Sequence, residues 1–255
     1  MLANILLFAA VGFIAQLIDG ALGMAYGVSS TTFLLTVGVA PAVASACVHA
    51  SEVATTAVSG LAHFRLGNID KQLFARLVIP GVLGGIAGAY LLNLEALGTF
   101  LKPFISLYLI IMGLVILSRA LRKAPEREVT RETARARALI PLGAAGGFFD
   151  ALGGGGWGPV VTTTVIARGH SPRLTIGSVN ASEFFVTFAQ AITFVLTIPD
   201  LLADHWPIIV GLLSGGVLAA PLAAYVCRRV NPRAMMIIVG CVIIALSLRT
   251  LILAW

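Results

Sequence analysis

The sequence predicts an all-α integral membrane protein built from two copies of one five-segment unit. Three observations support this fold class. The chain is 58% hydrophobic and 11% charged, with mean hydropathy +0.98, whereas soluble domains are about 25% charged. Residues 12–56 and 143–187 align without a gap at a constant offset of 131, and 13 of their 45 positions are identical. Each copy also carries a glycine-rich break within an apolar stretch.

Seven apolar segments have the roughly 17–25 residues needed to cross about 30 Å of hydrocarbon. Three shorter ones, 28–39, 139–149 and 160–167, are too short to cross comfortably alone. Each half therefore holds five segments, and an odd number turns the second copy upside down relative to the first. The seven long segments are 2–18, 41–64, 73–92, 97–117, 172–198, 206–226 and 233–255.

A basic connector separates the halves and sets the predicted orientation. Residues 119–137 contain seven Lys or Arg against three Glu, and short basic loops stay in the cytoplasm. Counting from there puts 15 of the 17 basic residues inside, all but Lys102 and Arg249, and both termini outside. The predicted division is 1–118, 119–137 and 138–255. We interpret the +6 charge as orientation, and expect no nucleic-acid partner.

The two breaks, 19–27 and 150–158, are not expected to continue as regular helix. Each interior Gly costs about 1 kcal/mol relative to Ala, and four stand in a row from 153 to 156. Pro159 suits the first turn of a new helix. We predict broken or re-entrant helices whose tips lie near the midplane, where inverted repeats place a binding site. For Gly84-Gly85 and Gly215-Gly216 we predict close helix packing instead.

Irregular backbone inside a membrane must pack in protein or line a cavity, and helix starts attract anions. Opposed tips, one from each side, would bring both helix starts together. We therefore predict that backbone and side chains at the breaks contact a small anion. The alternative is that the glycines only permit close packing of helices. The predicted binding residues there are Tyr26, Gly27, Thr31, Thr32, Gly155, Gly156, Trp157, Thr162 and Thr163.

A polar helix face recurs in both copies. His49, Glu52 and Thr56 share one face, and Asn180, Glu183 and Thr187 repeat it. An intramembrane carboxylate is costly when charged and unpaired, so it normally faces a cavity and has a task.

We predict proton coupling through Glu52, Glu183, Asp19 and Asp150, and anion contact by His49 and Asn180. The alternatives left open are a packing role for His49, structural hydrogen bonding for the glutamates, and capping of the following turn by the aspartates.

Three cysteines, Cys47, Cys227 and Cys241, lie in separate apolar segments without metal-ligand spacing. His63, His170 and His205 form no ligand cluster, and no nucleophile–base pair is evident. We therefore expect no enzyme activity, no metal site and no cofactor. The apolar N-terminus lacks a basic region, and we predict a retained helix rather than a signal peptide.

Several runs resemble the TauE/SafE family of sulfite exporters and related anion transporters. They are residues 12–32, 49–56, 60–70, 143–164 and 177–187. The resemblance implies movement of sulfite, thiosulfate or an organosulfonate across a bacterial inner membrane, with proton or gradient coupling. Met24, Ala25 and Tyr26 depart from the glycine-rich pattern seen at Gly155, Gly156 and Trp157, so we expect an asymmetric anion cradle.

We thus expect a secondary transporter of a small anion working by alternating access, in which Tyr26 and Trp157 gate the path. A passive anion channel, a Na⁺-coupled carrier and a non-transporting scaffold remain alternatives. The expected partners are the anion, protons and the lipid bilayer. The sequence leaves direction, stoichiometry and formation of a homo-oligomer open.

Overall fold

The computed structural model describes residues 2–22, 24–121, 136–227 and 231–253, and every regular element within them is helical. A π-helical turn, Gly158–Thr162, precedes the short α7. The α-helices are α1 Leu2–Leu22, α2 Tyr26–Thr36, α3 Pro41–Arg65, α4 Lys71–Leu92, α5 Glu95–Leu121, α6 Ala136–Gly153, α7 Thr163–Ala167, α8 Pro172–Thr197, α9 Leu201–Cys227 and α10 Pro232–Leu253.

The all-α membrane class is confirmed by the length and composition of these helices. Within the described ranges, five stretches are long and apolar enough to cross a membrane, in α4, α5, α8, α9 and α10. The helix α3, with 25 residues, is as long as the longest of these five stretches. It also buries a polar row that includes His49, Glu52 and Thr56, as a helix facing the protein interior does.

Several helices extend beyond their predicted bounds, among them α1, α5, α6 and α9. The helix α9 begins at Leu201, because Asp204 occupies its first turn, where a carboxylate favours the positive end of the helix dipole. The helix α5 runs to Leu121, three residues into the predicted connector. Residues 122–135 of that connector lie outside the described residues, and the division into two halves stays a prediction.

Equivalent helices of the two copies make equivalent contacts with the other copy. Pro41 and Pro172, 131 positions apart, both stand in the first turn of their helices, α3 and α8. The first helix of each copy packs along the fourth helix of the other, α1 on α9 and α6 on α4. The helices α3 and α8 also pair, as do α5 and α10. The inverted orientation of the copies across the membrane stays a prediction.

Glycines let these exchanged helices approach through their backbones. A Cβ on Gly84 would lie 2.0 Å from the carbonyl oxygen of Ala144, and one on Gly215 would lie 1.9 Å from that of Ala9. Gly84 and Gly215 occupy matching positions in the two copies. Small residues at both positions therefore permit the α4–α6 and α1–α9 contacts.

Both breaks are shorter than the predicted ranges 19–27 and 150–158, which were too wide. The helix α1 continues through Asp19 to Leu22 and α6 through Asp150 to Gly153, because one glycine weakens a helix without ending it. Between α1 and α2, Ala25 has φ +100°, a left-handed conformation that strains a residue with a side chain. Between α6 and the π-helical turn, Gly154, Gly155 and Gly156 have φ of +65°, +147° and +151°, which glycine adopts without that cost. Glycine therefore accounts for the backbone conformation of the second break. In the first break, contacts with the surrounding protein must hold the strained Ala25 in place.

An aspartate caps the backbone after each break. The Trp157 N–H donates to Oδ1 of Asp150 at 2.9 Å, and the Tyr26 N–H donates to Oδ1 of Asp19 at 3.3 Å. The aspartate precedes its donor by seven residues in both copies. The capping role considered for these aspartates thus describes their geometry, since each accepts from a backbone group that the break leaves free.

Asp150 holds more of the structure together than Asp19. The Gln190 side-chain amide on α8 donates to Oδ2 of Asp150 at 3.0 Å and to the Gly147 carbonyl at 3.1 Å. Ser59 stands at the matching position of the first copy and makes no such bond within the described part of the chain. The second break is therefore tied to α8, whereas the first has the single cap.

We predict that Asp150→Ala destabilises the protein more than Asp19→Ala. The first change leaves two donors without an acceptor and the second leaves one, at about 1–3 kcal/mol for each buried unsatisfied group. Thermal unfolding of the purified variants in detergent measures the difference. Asp150→Asn, which keeps a carbonyl oxygen for Trp157, should fall between Asp150→Ala and the unmodified protein. An equal or larger loss for Asp19→Ala would contradict the assignment.

Candidate functional site

The two breaks touch each other directly. A Cβ on Gly27 would lie 2.6 Å from the Cα of Gly155, so the two backbones leave no room for a side chain. The Thr31 hydroxyl crosses the same junction and donates to the Gly154 carbonyl at 2.5 Å. The sequence predicted that opposed tips would meet, and the structure brings these residues of both copies together.

The helices α3 and α8 form the neighbouring junction between the copies. The hydroxyl oxygens of Thr56 and Thr187 lie 3.4 Å apart, and these residues occupy matching positions. Matching residues of the two copies therefore meet at this junction. Glu52 and Glu183 each lie one turn before these threonines, so both glutamates lie beside the junction.

His49 lies between an acid of each copy. Its ring is fully buried, with Nδ1 3.6 Å from Oε2 of Glu52 and Nε2 3.7 Å from Oδ2 of Asp150. Neither nitrogen makes a hydrogen bond within the described residues. These distances are longer than hydrogen bonds. When the imidazole is protonated and charged, it forms one ion pair with Glu52 and another with Asp150.

Two further carboxyl groups, those of Asp19 and Glu183, lie within electrostatic range of these acids. Glu52 lies within electrostatic range of Asp19, and Glu183 lies within range of Glu52, Asp19 and Asp150. Acids within electrostatic range of one another repel when all of them are charged. Such a cluster can bind and release protons. In the described part of the chain, no group of three or more His, Cys, Asp or Glu has the arrangement of a metal site.

Not all of the predicted anion ligands face the junction of the breaks. The Thr32 hydroxyl donates to the Val28 carbonyl at 2.7 Å, within α2. Thr32 also lines a cavity of about 300 Å³ between α1, α2 and α10, away from Thr31. The Asn180 amide donates to the Ile176 carbonyl at 2.9 Å, within α8.

Tyr26 and Trp157, the predicted gates, are both fully buried and held by main-chain carbonyls. The Tyr26 hydroxyl lies 3.2 Å from the Leu212 carbonyl oxygen, and the Trp157 indole N–H donates to Val179 at 3.2 Å. Thr162 is buried as well. The Thr163 hydroxyl is buried without a hydrogen-bond partner in the described residues. The junction is thus closed to solvent in this conformation, and substrate contact by these residues stays a prediction.

Two residues of α5 reach the breaks and were not predicted. The Tyr108 hydroxyl donates to the Gly155 carbonyl at 3.1 Å. The Arg119 guanidinium lies 3.2 Å from Sδ of Met24, in the first break. Arg119 was assigned to the connector and to orientation alone, but it extends α5. The available signal was the spacing, since 11 residues are three helical turns and place both side chains on one face.

Comparison with known proteins identifies the family. The family model "Sulfite exporter TauE/SafE" matches residues 8–250. The chain is 44% identical to "Probable membrane transporter protein YtnM" of Bacillus subtilis (strain 168), over 99% of this chain and 84% of that protein. No solved structure matches. The predicted resemblance is confirmed, as are the transmembrane transporter class and the expectation that the protein is not an enzyme. The chain belongs to the TauE/SafE sulfite exporter family of membrane transporters.

Proposed function

We propose that this protein is a proton-coupled secondary transporter of a small sulfur-containing anion, namely sulfite, thiosulfate or an organosulfonate. It would act in the bacterial inner membrane by alternating access, with both termini in the periplasm. The observation that carries the proposal is the direct contact of the two breaks beside a buried histidine that bridges acids of both copies. Anion contact and proton binding then share one junction.

The breaks supply an anion site made mainly of neutral groups. Backbone N–H groups at the starts of α2 and of the π-helical turn attract negative charge, aided by the helix dipole. The Thr163 hydroxyl, which is buried and has no hydrogen-bond partner in the described ranges, is a donor that an entering oxyanion would satisfy. Arg119 adds a positive charge at the first break only, where its described polar contact is the weak acceptor Met24.

Proton binding is assigned to the acid cluster around His49. Glu52 and Asp150 belong to different copies, and the histidine between them can pass a proton from one to the other once each acid comes within hydrogen-bond distance of the ring. Glu183 makes no hydrogen bond through its carboxyl group within the described residues. Unlike Asp19 and Asp150, it can therefore gain or lose a proton without breaking a described hydrogen bond.

The closed junction supports the proposal of alternating access. Thr31, Thr162 and Trp157 are each at most 1% exposed, so an anion reaches them only when the breaks separate. Separation breaks the Thr31–Gly154 hydrogen bond and exposes the acids on one side. Loading of a proton and an anion would offset those lost contacts.

Counterflow of labelled sulfite in proteoliposomes tests the proposed transport. We expect saturable exchange, with thiosulfate, sulfoacetate, taurine and sulfate as competitors whose order defines the substrate. Flux that rises linearly with concentration would identify a channel. Exchange that requires Na⁺ would identify a cation-coupled carrier. No flux of any member of this panel would contradict the proposal and favour a scaffold.

We predict that Glu183→Gln abolishes sulfite accumulation driven by a pH gradient while preserving counterflow. Glutamine keeps the shape of the protonated acid but cannot release a proton, so exchange continues and coupled net movement stops. Both assays use the same proteoliposomes. Asp204→Asn, an exposed acid in the first turn of α9, is the matched control and should retain both activities. Unchanged pH-driven accumulation in Glu183→Gln would remove this residue from the coupling path.

We predict that Arg119→Gln raises the half-saturation concentration for the anion by about 10- to 100-fold, the effect of losing a charged hydrogen bond of about 1.5–3 kcal/mol. The maximal rate should change less, because Arg119 contacts the break rather than the acid cluster. Arg249→Gln is the control, since that exposed arginine lies on α10 and its guanidinium is 3.4 Å from the Thr36 carbonyl oxygen. Equal half-saturation in both variants would exclude Arg119 from anion binding.

A further inference from the structure

A cleft of about 420 Å³ lies between α3, α4 and α8, apart from the contact between the breaks. Its lining includes the buried Thr56 and the exposed Phe64 and Lys71. Phe64 lies eight positions beyond Thr56 on α3, so the cleft extends about 12 Å along that helix. Its floor is closed where Gly60 approaches Ala181, since a Cβ on Gly60 would lie 3.3 Å from the Cα of that alanine.

The walls of this cleft are apolar and its rim faces the membrane. Apart from Thr56 and Lys71, the lining side chains carry no polar group. Three rim residues, Leu61, Phe64 and Phe185, are 50%, 67% and 47% exposed, and exposed apolar side chains of a membrane-spanning chain lie against lipid. A small hydrated anion would lose its hydration there without gaining hydrogen bonds. A hydrocarbon chain would fill the same space at no such cost.

A single cation marks the mouth of the cleft. Lys71 is the first residue of α4 and is exposed. Its neighbour Asp70 is engaged as the helix cap, accepting from the N–H groups of Gln72 and Leu73. Within the described ranges no carboxylate forms an ion pair with Lys71. The ammonium group is therefore available to an anion at the membrane surface, on the side predicted to be cytoplasmic, where anionic lipids concentrate.

We propose that this cleft binds an anionic phospholipid of the cytoplasmic leaflet, with one acyl chain between α3 and α8 and the phosphate on Lys71. The chain would end at Thr56, beside the contact with Thr187. Bound lipid would thus support the junction of α3 and α8 from the membrane side. This inference rests on the cleft and its charge, and it stands whatever anion the protein moves.

Native mass spectrometry tests the site. The purified protein, equilibrated with equal amounts of phosphatidylglycerol and phosphatidylcholine, should retain one phosphatidylglycerol in preference. Lys71→Gln should reduce that preference about fivefold, the effect of one basic residue at a lipid surface. Ala57→Phe, which places a ring inside the cleft, should remove binding of both lipids. Arg168→Gln, an exposed basic residue outside the cleft, should bind like the unmodified protein.

The outcomes separate this proposal from its rivals. Equal retention of phosphatidylglycerol by the unmodified protein, Lys71→Gln and Ala57→Phe would overturn it. Displacement of the lipid by sulfoacetate, with the same sensitivity to Ala57→Phe, would also overturn it and make the cleft an entrance for substrate. Size-exclusion profiles that match the unmodified protein confirm that both variants fold. Counterflow of sulfite is measured separately, so a failed lipid site leaves the proposed transport untouched.

Discussion

The two broken helices meet at a direct backbone contact inside the protein, between Gly27 and Gly155. A membrane interior provides no water for the backbone groups that a broken helix leaves free, so the protein must provide partners for them. Here each break is held by the other and by one aspartate of its own copy. The glycines at 27 and 155 let the two backbones meet, and Thr31 closes the junction with its hydrogen bond to Gly154. The exchanged packing of α1 on α9 and α4 on α6 then holds both tips in place.

The sequence predicted the parts of this arrangement that repeat. The offset of 131 paired Asp19 with Asp150 and Glu52 with Glu183, and the structure places each pair at corresponding positions of its copy. Glycine and proline located the breaks because their effect on the backbone is local and does not depend on distant contacts. Helix starts at Pro41 and Pro172 follow from the same local rule. These features needed no knowledge of which helices pack together.

The contacts that occur in only one copy could not be predicted from the sequence. Gln190 stabilises Asp150, but nothing in its own neighbourhood distinguishes it from a residue that faces lipid. Arg119 lies next to a run of basic residues, and that run conceals its contact with Met24. Thr31 and Thr32 are adjacent and chemically identical, yet only Thr31 crosses to the second break. In each instance the deciding factor is the direction of a side chain relative to the other copy, which depends on packing that sequence periodicity leaves undetermined.

The differences between the copies decide how the site is held. The second break has three glycines in left-handed backbone, the cap from Asp150, the tie from Gln190 and the Tyr108 hydrogen bond. The first break has the strained Ala25, the longer Asp19 cap and a guanidinium against a thioether. His49 lies 3.7 Å from Asp150 of the second break, whereas the matching Asn180 donates a hydrogen bond to Ile176 within its own helix. Among the described residues the first break is therefore held by fewer contacts, and it is the break that a bound anion would stabilise more.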